Sequence, residues 1–321
     1  MTLRDPPEDR SPAALLSFGL LNLDKPPGPS AHQVAEWVRE LTRDALADRQ
    51  ESDALDGADN AGHPRALVDR VAHAGTLDPK VTGSLPLMLG DATRLAQVFD
   101  DSRKEYVAVL ELHGPPPSDF EAIVAEFEGE IYQKPPRKSA VRRELRVREI
   151  FDLDVIERRE RQALLRVRCE SGTYVRKLCH DIGLALGTGA HMGDLRRTAT
   201  GTFDDTTLVT MEEFVDALAF WVEDDDPDPL RAVVDPAERA LVTLPRVTIA
   251  PSATREVAEG APVYAPGVID VAPAEAGGAE PTDNALVACY TPNGAAVCLG
   301  RLVGDPDADS GTVVDLERVL V

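Results

Sequence analysis

Apolar positions along the chain change period several times, and each change marks an element. Leu20 to Lys25 reads as a short strand, preceded by a polar, proline-containing arm over residues 1–17. Val34, Trp37, Val38 and Leu41 then fall at helical spacing, and Ser30 with Gln33 three residues later supplies a capping box for that helix. Tyr106, Ala108, Leu110 and Leu112 alternate as one side of a strand, and Leu165, Val167 and Cys169 alternate likewise, so the two runs are expected to pair antiparallel. After Gly172 the period lengthens to Val175, Leu178, Ile182 and Leu186, a helix closed by Gly187. The switch marks a strand-to-helix turn.

Between these runs, polarity suggests boundaries. Residues 45–66 are acidic and poor in large apolar side chains, which predicts an exposed insertion. Residues 224–243, rich in Asp-Pro, read as a linker. Beyond it, residues 244–321 hold short Val-rich strands divided by Gly and Pro, the pattern of a small barrel with a loop insertion at 272–284. The expected organisation is an arm at 1–17, a first domain over 18–223, the linker, and a second domain over 244–321. No apolar stretch approaches the roughly 20 residues of a membrane helix, and no secretory signal opens the chain, which predicts a cytoplasmic protein without membrane contact.

Charge changes the picture. The formal net charge is −22, and only six lysines occur: Lys25, Lys80, Lys104, Lys134, Lys138 and Lys177. Such a surface suits molar salt, where the Debye length shrinks to about 3 Å. Against this background residues 131–148 reverse the sign, with seven basic residues to one acidic, among them Lys134, Lys138, Arg142 and Arg143. A phosphate-contacting loop would look like this. Arg196 and Arg197 form a smaller basic cluster. The four cysteines lack any C-x-x-C pair and read as buried free thiols; the spacing of Cys169, Cys179, His180 and His191 fits no common zinc pattern.

Two stretches carry chemistry. In His73-Ala-Gly-Thr-Leu-Asp78-Pro-Lys80-Val-Thr-Gly83, the glycines and Pro79 can hold one carboxylate in a fixed pose. In Glu170-Ser-Gly-Thr-Tyr-Val-Arg176-Lys177, Arg176 lies in the first turn of a helix, where the dipole does not favour it and an anionic partner would explain it. Asp78 is the candidate partner. Such a pair would hold the carboxylate ionised, as a nucleophile requires; the alternative is a salt bridge that only ties two elements together.

These stretches, with Leu21-Asn-Leu-Asp-Lys25-Pro-Pro-Gly28, Arg103-Lys-Glu-Tyr106 and Gly189-Ala-His-Met-Gly-Asp-Leu-Arg-Arg-Thr198, occur in an order that resembles the TruB family of pseudouridine synthases, particularly its archaeal, dyskerin-like branch. Ser30-Ala31, Ser171 and the 45–66 insertion depart from the family pattern. The resemblance implies an α+β protein, with a mixed or antiparallel-sheet catalytic domain and a small C-terminal β-barrel similar to a PUA RNA-binding domain. It also implies isomerisation of uridine to pseudouridine in tRNA or rRNA, with no metal or redox cofactor. Asp78 would be the essential carboxylate, Tyr106 would stack on the flipped uracil, and Arg176 would hold Asp78. Lys25, His73, Lys80, Lys134, Lys138, Arg142, Arg143, Arg196 and Arg197 would face RNA. The implied partners are the RNA substrate, an H/ACA guide RNA and the other H/ACA core proteins. A stand-alone tRNA enzyme and a non-catalytic RNA-binding scaffold are the alternatives; hydrolytic glycoside or phosphoryl chemistry would need a second carboxylate or a metal pair that the loop does not offer.

Overall fold

The computed structural model describes residues 4–55, 69–135 and 142–321. In chain order the elements are α1 (Pro12–Ser17), β1 (Phe18–Lys25), α2 (Ala31–Leu55), β2 (Val71–His73), β3 (Thr82–Gly90), α3 (Ala96–Asp100), β4 (Lys104–Leu112), α4 (Phe120–Ala125), β5 (Gly129–Gln133) and β6 (Arg146–Arg158). They continue with β7 (Gln162–Cys169), α5 (Val175–Ala185), β8 (Ala190–Thr200), β9 (Phe203–Asp204), α6 (Met211–Glu223), α7 (Asp228–Val233) and β10 (Asp235–Pro236). The last part holds β11 (Arg246–Ile249), α8 (Pro251–Ala258), β12 (Val263–Tyr264), β13 (Val268–Ala272), β14 (Leu286–Tyr290), β15 (Ala296–Leu302) and β16 (Thr312–Val319). The α+β class expected from sequence is the class observed.

Two sheets organise these elements. The first, of ten strands, runs β10-β1-β3-β8-β4-β7-β6-β5, with β2 added to β3 and β9 to β8. Its named strand pairs are antiparallel except β3–β8, which meet in parallel only at Thr82–Arg196 and Gly83–Arg197. That short seam joins two antiparallel half-sheets. The expected β4–β7 pairing is present, with Tyr106 opposite Val167 and Lys104 opposite Cys169.

The core explains the run of apolar residues in β1. Leu21 and Leu23 face α2, α5 and α6, whereas Phe18 and Leu20 join Met88, Phe203, Leu241, Tyr290 and Leu299 in a second cluster shared with the C-terminal sheet. A strand covered on both sides needs apolar residues at successive positions. α2 begins as the sequence predicts: the Ser30 hydroxyl accepts from Gln33 N at 3.2 Å, and Gln33 Oε1 accepts from Ser30 N at 2.9 Å.

Three boundary expectations are altered by packing. α2 continues to Leu55, and Ala45 and Leu46 are buried, so the first part of the acidic stretch extends this helix; residues 56–68 lie outside the described residues. The segment expected as a linker buries Leu230, Val234, Ala237, Ala240 and Leu241 and contributes β10 to the large sheet. Its Asp and Pro residues cap short elements instead of solvating a tether. The arm is likewise fixed: buried Arg10 donates to both oxygens of Glu238 at 2.7 and 2.5 Å, Glu238 accepts from Ala296 N at 2.9 Å, and Arg4 donates to Leu320 O at 2.8 Å.

The second sheet has six strands in the order β12-β16-β15-β14-β11-β13. β12 and β13 end that order without pairing to each other, so the expected barrel is an open, half-barrel-like sheet. α8 packs on it through Val257 and Thr254.

Because Arg10 and Glu238 are buried and neutralise each other, removing one leaves a charge in the interior. Arg10→Ala is expected to lower the unfolding free energy by about 3–5 kcal/mol. Chemical denaturation in high salt, followed by far-UV circular dichroism, measures it.

Candidate active site

The seam between the half-sheets is where the chemistry-bearing loop emerges. Residues 74–81 leave β2, pass Asp78 and enter β3 beside β8. Gly83 has φ of 96°, and a Cβ there would collide with the Arg197 carbonyl oxygen, so only glycine lets β3 approach β8 at this point.

Below the loop, the motif of β1 acts as a clamp. Lys25 is fully buried, and its ammonium donates to Pro26 O at 2.9 Å, Pro79 O at 3.0 Å and Val81 O at 2.8 Å. Gly28 N adds a second bond to Pro79 O at 2.8 Å. Burial pushes the Lys25 amine below its usual range, with the Asp78 charge opposing. Asn22 is tied to Ser84 and Asp204, and Asp24 takes both outer nitrogens of Arg196 at 2.9 Å.

Asp78 itself is exposed at the top of the loop. It receives a hydrogen bond from Nη2 of Arg176, which is also exposed, in the first turn of α5. The loop before α5 is shaped from the other half-sheet. Gln133, buried at the end of β5, accepts from Tyr174 N at 2.8 Å and donates to Tyr174 O at 3.2 Å. Arg148 of β6 lies against Gly172, whose φ is 79°, and donates to Glu170 at 3.0 Å.

Tyr106 reaches the site from β4. Its ring is part-exposed, and burial raises its hydroxyl above the usual range while the charge of Arg197, its cross-strand neighbour on β8, pulls the other way. Arg197 is almost wholly buried and also donates to Ser84 O at 2.7 Å and Gly75 O at 3.3 Å. Thus Tyr106 connects to the Asp78 loop through one guanidinium. Lys104, two residues before Tyr106, is buried and donates to Phe99 O at 3.0 Å and Ser102 O at 3.1 Å; burial brings its amine down to about 8.

The structure therefore pairs Asp78 with Arg176 and places Tyr106 beside Arg197, which holds the Asp78 loop at Gly75, but it sorts the expected RNA-facing residues. Lys80 and Lys134 are exposed. Arg142 is exposed and paired with Glu144 at 2.8 Å, and Arg143 is exposed and donates to Pro135 O at 2.9 Å. His73 is part-buried, its Nδ1 has no partner, and burial followed by the Arg197 charge pushes its imidazole below the usual range. Lys138 lies outside the described residues. Two assignments are corrected: Lys25 and Arg197 are interior, held by backbone oxygens, and cannot meet phosphate in this conformation. Gln133, Arg148 and Lys104 were not anticipated as parts of the site. Lys104 had a signal, since it shares the inward phase of Tyr106 and Ala108.

Comparison with known proteins decides the family. Residues 65–116 and 114–175 match the TruB family pseudouridylate synthase N-terminal domain, and residues 176–242 match the tRNA pseudouridylate synthase B C-terminal domain. A probable tRNA pseudouridine synthase B of Haloarcula marismortui is 64% identical over 321 residues, spanning 100% of this chain and 94% of the relative. The chain belongs to the TruB family of pseudouridine synthases. It is accordingly an RNA isomerase.

A second relative, also called a probable tRNA pseudouridine synthase B, comes from Halobacterium salinarum and is 59% identical, with both chains fully covered. These sources agree with the acidic, lysine-poor composition. Among solved structures, a Cbf5-Nop10-Gar1 complex contains a chain that superposes with a TM-score of 0.84 at 39% identity, covering 100% of this chain and 90% of that one. An H/ACA RNP bound to a substrate RNA containing 2′-deoxyuridine contains another, with a TM-score of 0.82 at 37% identity, covering 99% and 90%. Unlike its isolated motifs, the TruB fold here is matched from end to end.

The buried lysine of this TruB site makes stability depend on pH. Lys104 titrates at about 8 in the folded protein against 10.5 ordinarily. Between those values the unfolded chain carries the extra proton, so this residue's contribution to stability rises with pH. The stability of wild type relative to Lys104→Met is expected to increase by on the order of 3 kcal/mol across that window. Parallel denaturation series at stepped pH check the sign.

Proposed function

We propose that this TruB-family chain converts uridine to pseudouridine as the catalytic subunit of a guide-RNA ribonucleoprotein of the H/ACA type, acting in the cytoplasm on rRNA or tRNA. The observation that carries this reading is the end-to-end likeness, including the C-terminal sheet, to a chain from a Cbf5-Nop10-Gar1 complex. Residues 18–223 serve as catalytic domain and 244–321 as a PUA-type RNA-binding domain; guide RNA and proteins like Nop10 and Gar1 are the partners. The names of the sequence relatives favour a second reading, in which the chain modifies tRNA without a guide.

In either case the target uridine must leave its stack to reach Asp78, and contacts at the site offset the unstacking cost. The C1′–N1 bond breaks, the uracil turns, and C5 bonds to C1′, after which the C5 proton leaves. Asp78 acts on the sugar, as nucleophile at C1′ or as base toward a sugar proton. Arg176 aims the carboxylate, which the loop's exposed setting leaves open to a nucleotide. Tyr106 stacks on the uracil and takes the C5 proton. Lys80, Lys134, Arg142 and Arg143, all exposed, supply phosphate contacts in an otherwise acidic protein.

Asp78→Asn is expected to bind RNA as the wild type does and form no pseudouridine by mass mapping, because it keeps the shape and loses the charge. Turnover by that variant would remove Asp78 from the chemistry. Arg176→Lys is expected to lower the single-turnover rate more than RNA affinity, since a point charge replaces a planar fork. Assays on unmodified tRNA transcript and on a guide-paired target, with and without the partner proteins, separate the two readings: modification of tRNA by the protein alone rejects an obligate guide.

A further inference from the structure

Arg197 is costly to bury, and nothing acidic explains its presence. Its guanidinium is held by the Ser84 and Gly75 carbonyls, its cross-strand neighbour is Tyr106, and among the described residues it forms no salt bridge. A charged group held only by neutral oxygens is normally disfavoured in an interior. The partners are informative. Gly75 belongs to the Asp78 loop, and a Cβ there would come within 3.4 Å of Arg197 Nη1. Tyr106 is the cross-strand neighbour of Arg197 on β4, while Gly83, at the end of the loop, is its neighbour on β3. One side chain thus touches both parts of the site that must act on one nucleotide.

We propose that Arg197 is a positioning residue for removal of the C5 proton, setting the Tyr106 oxygen against the Asp78 loop and holding a positive charge beside it when it becomes an anion. This rests on the reading of Tyr106 as the group that takes that proton. The step balances without a co-reactant. The phenol first loses its proton to water; the phenolate then takes the proton from C5, the C–H electron pair becomes the C5–C6 double bond, and the C6–N1 double-bond pair passes to N1, which takes a proton back from water. The charged and titratable groups facing Tyr106 are Arg197 from β8 and Cys169 from β7, with Lys104 beside Cys169 on the Tyr106 strand. Arg197 is the member of this set directly across the sheet from Tyr106, and its charge opposes the effect of burial on the phenol. A neutral hydrogen-bonding residue could brace the loop equally well, but it could not offset a phenolate.

The test is a double-mutant cycle of Arg197→Gln and Tyr106→Phe, read as single-turnover pseudouridine formation on whichever RNA the wild type modifies, prepared with hydrogen or deuterium at uridine C5. Arg197→Gln is expected to fold, to bind RNA like the wild type, and to lose about 100-fold in rate. The C5 isotope effect should rise, and the rate's dependence on phenol ionisation should move to higher pH. In the Tyr106→Phe background the same change should cost little more, because residues acting as a unit are not additive. An equal loss in both backgrounds, or an unchanged isotope effect, would overturn the proposal while leaving Tyr106 in its role. A Tyr106→Phe variant at wild-type rate would sink that role and this inference together. Should Arg197→Gln fail to fold, or Tyr106→Phe be too slow to read, Arg197→Lys with intact Tyr106 decides. It keeps the charge and loses the fork, so a smaller rate loss with a raised isotope effect supports the proposal, and an unchanged isotope effect rejects it.

Discussion

Buried cations held by backbone carbonyl oxygens are the interaction on which this site depends. Lys25, Lys104 and Arg197 lie beneath or beside the Asp78 loop, and the oxygens that hold them come from that loop, from the start of β3 and from the turn before β4. A carboxylate partner would neutralise each charge more cheaply. Carbonyls leave a net positive floor while tying the loop and its flanking backbone in place. In a chain of net charge −22, the surface around Asp78 is therefore underlain by charge of the opposite sign to most of the exterior.

That floor sits at the one parallel seam of the large sheet. Antiparallel halves on either side bring Asp78 from one and Tyr106 from the other, while α5 adds Arg176 across the opening. Because β3 and β8 pair at only two positions, the relative placement of the halves relies on few bonds. Side-chain clamps across the seam make up the difference: Arg196 on Asp24, and Arg197 on Ser84 and Gly75.

Much of this was legible in the residues. The capping box at Ser30, the alternation in β4 and β7 and the change of period after Gly172 all reflect local rules that tertiary contacts reinforce. Asp78 and Arg176 were found as an expected pair because motif order identified their loops. The interior cations were misplaced because charged side chains default to the surface. Period-two phase held the contrary signal: Lys25 follows Leu23 by two, Arg197 follows Leu195 by two, and Lys104 precedes Tyr106 by two. Each therefore points with its apolar neighbour. The acidic stretch and the Asp-Pro linker were misread for a different reason. Composition says that such segments can be solvated, but it does not reveal that Ala45, Leu46, Leu230 and Leu241 find partners elsewhere.

The bond from Arg4 to the Leu320 carbonyl brings two sequence-distant residues side by side, on the same face where Arg10 grips Glu238. The segment before α1 is thus pinned to the residue that follows β16. Local opening of one would release the other, so the two are expected to exchange with solvent as a unit.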